Sequence, residues 1–119
     1  MNWFKIAKDF TGRNLINSKI RYLIKTKKNL KYLSKLIFQS GKNAKEANFK
    51  IINSSKITSY PIVHDILIEA DELALDSPWR FAELCNEAIG RIDDLMGKFK
   101  KKREEIVYDK KNNPKKGWK

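Results

Sequence analysis

Phe81, Cys85, Ala88, Ile92, Leu95 and Phe99 recur at alternating steps of four and three. Only an α-helix brings all six onto one stripe. A helix with so long an apolar side must bury it against other elements, and the segment before it supplies one. From Pro61 onward, Ile62, Val63, Ile66, Leu67, Ala70, Leu73 and Ala74 share one helical face, while Asp65, Glu69, Glu72 and Asp76 line the other. Between the two runs, Asp76-Ser77-Pro78 offers an N-cap followed by proline at the first helical position. This predicts an antiparallel, acidic helical hairpin over residues 61 to 99.

The N-terminal half is also helical in pattern. Ile16, Leu23, Leu30 and Ile37 fall seven apart, with Tyr22, Leu33 and Leu36 flanking the seam. The spacing predicts a helix capped by Asn14 or Asn17 and ended by Ser40-Gly41. The seam is open to closing within one chain or to pairing with a second copy as a homodimer. Ahead of it, Trp3, Ile6, Ala7 and Phe10 form a short separate helix stopped at Thr11-Gly12. So short an apolar face suits a lid on the bundle better than a membrane anchor. Asn43 with Glu46 reads as a capping box for a helix through Ala44, Ala47, Ile51 and Ile52. The β-branched residues over 49 to 60 allow two short strands instead, a wing-like device. The cap signal and the alanines favour helix, with residues 56 to 60 as a crossing loop.

With 3 prolines and 5 glycines in 119 residues, long uninterrupted helices fit better than a many-turned β fold. A content of 41% hydrophobic and 34% charged residues is that of a globular chain. The expectation is an all-α, compact bundle of about four helices. It forms a single domain over residues 1 to 108, followed by a flexible basic tail over 109 to 119. No stretch reaches the roughly 18 apolar residues of a membrane span, and the opening residues lack the apolar core of a signal peptide. Together with a single cysteine, this points to a reducing, cytoplasmic setting.

The net charge of +12 is unevenly placed. Residues 1 to 60 hold 14 Lys and Arg against 2 acids, residues 61 to 97 hold 2 against 9, and residues 98 to 119 hold 10 against 3. Within the first block, Arg21, Lys25, Lys28, Lys31 and Lys35 form a stripe opposite the seam, about 20 Å of aligned positive charge. Tyr32 falls on the same side, where an aromatic among lysines is placed to stack on a base. Lys100, Lys101, Lys102 and Arg103 add a second cluster, which also complements the negative end of a helix dipole.

Little in the chain supports catalysis. His64 is the only histidine and Cys85 sits on the apolar stripe. The five glycines are singletons, so no phosphate-binding loop is present. Glu69-x-x-Glu72 followed by Glu83 faintly resembles the all-α nucleoside triphosphate pyrophosphohydrolases, which place a Glu-x-x-Glu helix before a Glu-x-x-Asp helix around a metal. Here Glu83-Leu-Cys-Asn86 ends in asparagine, and the first pair lies opposite the apolar face. The resemblance is not adopted. The sequence points to a non-enzymatic, cofactor-free basic protein that binds DNA or RNA through backbone phosphates, with little base specificity. The alternative is an adaptor or inhibitor that docks on a larger protein through Asp65, Glu69, Glu72, Asp76 and Trp79.

Overall fold

The computed structural model describes the backbone of residues 3–118 and the side chains of residues 12–106. The fold is all-α. Four helices, α1 (Trp3–Gln39), α2 (Gly41–Ile52), α3 (Pro61–Leu73) and α4 (Pro78–Trp118), are joined by short turns and one 3₁₀ turn over Ser55–Ser59. The chain divides into two compact units, residues 24–94 and residues 1–23 with 95–119.

In the unit of residues 24–94, the stripes read from the sequence meet in one core. Leu30, Leu33 and Ile37 of α1, Val63, Leu67 and Ala70 of α3, Ala74 just beyond it, and Phe81, Cys85, Ala88 and Ile92 of α4 are all buried. Helices α1 and α4 run antiparallel there: Lys27 pairs with Asp93 at 2.6 Å, and Phe38 meets Trp79 further along α1. Helices α3 and α4 fold back as a hairpin, with the Ser77 carbonyl accepting from the Phe81 N–H at the start of α4. In the other unit, Ile16, Ile20, Leu23 and Met96 are buried. Asn17 accepts a 2.8 Å hydrogen bond from Arg103, and Lys19 lies 5.5 Å over the Phe99 ring.

Several local expectations are corrected. The short N-terminal helix stopped at Thr11-Gly12 does not exist as a separate element, because α1 is continuous from Trp3. Glycine ends a helix by adopting positive φ, and among the described residues no glycine does. Asn14 and Asn17 are therefore helix-interior residues, and Asn17 spends its side chain on Arg103. The N-cap of α2 is Ser40, whose hydroxyl accepts from the Asn43 N–H at 3.3 Å, rather than Asn43 with Glu46. Residues 49 to 60 contain no strand, so the wing alternative falls and helix gives way to the 3₁₀ turn. Ile62, expected on the inner face of α3, is 60% exposed in the first turn of that helix.

A buried polar contact joins α2 to α3. Asn48 has no exposed surface, and its side-chain amide donates to the Leu67 carbonyl at 2.9 Å. One turn away, Lys45 donates to the Asp71 carbonyl at 3.0 Å. The two contacts run in opposite chain directions, so α2 and α3 are antiparallel.

Gly90 and Gly97 are exposed within α4, and a Cβ at either would meet nothing within 4 Å. Removing the excess backbone freedom of glycine in a helix is worth roughly 0.5–1 kcal/mol per site. The double variant Gly90→Ala/Gly97→Ala is expected to unfold at higher urea than the parent, with an unchanged denaturant slope.

Candidate nucleic-acid interface

Burial of one face of α1 leaves its opposite face in water, and the cations fall there. Lys25, Lys28, Lys31 and Lys35 are all exposed on the segment of α1 that belongs to the 24–94 unit. Lysine spacings of three, three and four keep the row on one side of the helix over about 15 Å. Tyr32 stands among them, 63% exposed. Arg21 is exposed on the preceding part of α1, in the other unit.

The acids of the hairpin do not neutralise this row. Among the described residues, Asp93 pairs with Lys27, Asp71 with Lys45, and Glu69 and Glu83 both reach Arg80. None of these ion pairs uses Lys25, Lys28, Lys31 or Lys35. Asp65, Glu69, Glu72 and Asp76 are exposed along the hairpin, and no three His, Cys, Asp or Glu side chains gather as a metal site among the described residues. The two Glu residues of the pyrophosphohydrolase-like motif thus point to water.

The second basic cluster is on the other unit. Lys100, Lys101 and Lys102 are exposed, whereas Arg103 is half-buried and donates to Asn17. The basic tail expected over 109 to 119 lies outside the described side chains. Residues 24–94 hold 11 Lys and Arg against 10 acids, so the lysine row is a local segregation of charge within a nearly balanced unit.

One feature of this surface was only half legible. Trp79 is 76% exposed, as a lone partner-docking residue would be, but it is not alone. Its ring centroid lies 4.7 Å from that of Phe38, which is itself 49% exposed, at an interplanar angle of 58°. Phe38 sits three residues beyond Lys35 and seven beyond Lys31, so the aromatic pair continues the lysine side of α1. Spacing alone can place Phe38 on that side, but not bring Trp79 to it from another helix. Leu75, also 63% exposed, lies at the nearby turn beside Gly41.

Compared with protein-family models, curated proteins and solved structures, the chain gives no significant match. No helix among the described residues is long and apolar enough to cross a membrane.

The two side chains with nucleophilic or proton-transfer chemistry are placed elsewhere. His64 is half-buried next to Asp65, with Nδ1 3.3 Å from that carboxylate. Cys85 is buried in the core, and burial pushes its thiol up from 9.0 to about 12. Its thiolate is therefore suppressed in the folded state. A thiol-reactive dye at pH 8 is expected to label Cys85 only when the protein is unfolded, and stoichiometric labelling of the native protein would contradict this placement. Because the folded pKa lies above the unfolded one, this thiol's contribution to stability is complete below about pH 9 and is lost as pH rises towards about 12.

Proposed function

We propose that this protein binds nucleic acid through phosphate contacts made by Lys25, Lys28, Lys31 and Lys35. The observation that carries the reading is a row of four exposed lysines on a rigid helix, with no acid among the described residues paired to them. Cations held on one helix face contact successive phosphates with little ordering cost, and each contact releases condensed counterions. The other unit has exposed cations of its own in Arg21, Lys100, Lys101 and Lys102. Phosphate contacts of this kind set position and affinity but read no bases. Residues 49 to 60 form no strand pair, so a wing of that kind adds no base contacts to the lysine row.

A second reading, an adaptor or inhibitor docking on a larger protein, is favoured by the exposed Phe38, Leu75 and Trp79 side chains and the acidic hairpin residues. The two separate on salt dependence. Fluorescence anisotropy of labelled oligonucleotides, titrated at several salt concentrations, is expected to show log affinity falling linearly with log salt. Four phosphate contacts correspond to a slope of about −3 to −4. Absence of binding at low salt would remove the nucleic-acid reading in favour of the second.

A further inference from the structure

We infer that the ligand is single-stranded nucleic acid, its bases stacking on Tyr32 and on the Phe38–Trp79 pair while its phosphates lie along the lysines. The inference rests on the nucleic-acid reading above and narrows it to one class of strand.

Two overlapping rows on α1 carry the argument. Lys28, Tyr32 and Lys35 are spaced four and three apart, and Lys31, Lys35 and Phe38 likewise, so the two rows share Lys35, which falls between the two rings along the helix. All of these side chains are exposed. Among the described residues Tyr32 makes no ring contact or side-chain hydrogen bond, and 63% of it is exposed. Phe38 and Trp79 touch each other at a tilt of 58°, and the indole is 76% exposed. Along the helix axis Tyr32 and Phe38 are about 9 Å apart, or two to three steps at roughly 3.4 Å per nucleotide of a stacked strand.

A flat aromatic face has no partner on a duplex, whose bases are stacked and show only their edges in the grooves. An unstacked base offers its own face, and stacking on an aromatic is tolerant of sequence. Cations between the rings suit the phosphates that link such bases. The charges nearest Trp79 on its own helix are Arg80 and Glu83, which pair with each other at 3.0 Å, and Asp76 stands exposed at the preceding turn. The strand is therefore placed on the α1 side of the indole, away from Asp76.

The test uses the full-length protein with labelled oligo-dT, oligo-U and a duplex of equal length. The expected result is tighter binding to both single strands than to the duplex. Tyr32→Ala and Trp79→Ala should each weaken single-strand binding roughly tenfold with the salt slope unchanged, and Tyr32→Phe should retain it. Both rings are exposed, so the variants are expected to keep the parent's far-ultraviolet circular dichroism. Equal affinity for duplex and single strands, with no effect of either alanine, would overturn the stacking assignment while leaving the phosphate reading intact. No binding of any of the three probes would overturn both, and the aromatic pair would then stand as a protein-docking surface.

Discussion

The variant Lys28→Glu/Lys31→Glu/Lys35→Glu is expected to lose single-strand affinity on the order of a hundredfold at low salt, and its salt slope should shrink by about 2. All three side chains are exposed and free of ion pairs with described acids, and glutamate forms helix about as well as lysine, so the fold should survive. The control reverses three other exposed charges, Lys42→Glu/Lys50→Glu/Arg91→Glu, at positions on α2 and α4. Both variants carry the same net charge. If overall charge governed binding, the two would weaken it alike. If the α1 face is the site, the first should lose far more than the second. Anisotropy titrations of both variants at matched salt make the comparison.

The largest effect on stability is expected from Phe81→Ala. Phe81 has no exposed surface and is the largest fully buried side chain among the described residues. Truncating a buried phenylalanine costs about 3–5 kcal/mol, a large share of the roughly 5–15 kcal/mol that holds an ordinary domain together. Urea denaturation followed by circular dichroism should show the midpoint falling sharply. Two residues earlier in the same helix, Trp79→Ala removes a larger ring that is 76% exposed and should change stability by less than about 0.5 kcal/mol. The contrast between neighbouring aromatics separates core from surface. A comparable loss at Trp79 would mean that the indole is held in the core rather than presented to solvent.

These two residues also show what the sequence could and could not convey. Periodicity found the core because burial repeats with the helix. Phe81, Cys85, Ala88 and Ile92 are buried as their spacing requires, and so are Ile16, Leu23, Leu30 and Ile37. The exposed lysine row was legible for the same reason, being the complement of that seam. Features set by contacts between distant segments were not. Nothing local says that Asn48 will be buried, since its amide nitrogen finds its acceptor in the Leu67 carbonyl of another helix. Nor does anything local bring Trp79 to Phe38. Helix ends misled in a different way. Gly12 and Asn14 carry the residue types that stop and start helices, but such preferences amount to about 1 kcal/mol, and packing along a long helix outweighs them. The true cap, Ser40, lacks the glutamate three residues on that makes a capping box recognisable, because position 43 is asparagine.

Nucleic acid is proposed to bind on one face of α1, joined by Trp79. Chemical-shift mapping tests it most directly, by titrating oligo-dT into uniformly ¹⁵N-labelled protein at low salt. The amide shifts are expected to concentrate between Lys25 and Phe38, with the Trp79 indole N–H moving along with them. Shifts confined to other helices, or an unchanged spectrum at saturating oligonucleotide, would contradict it.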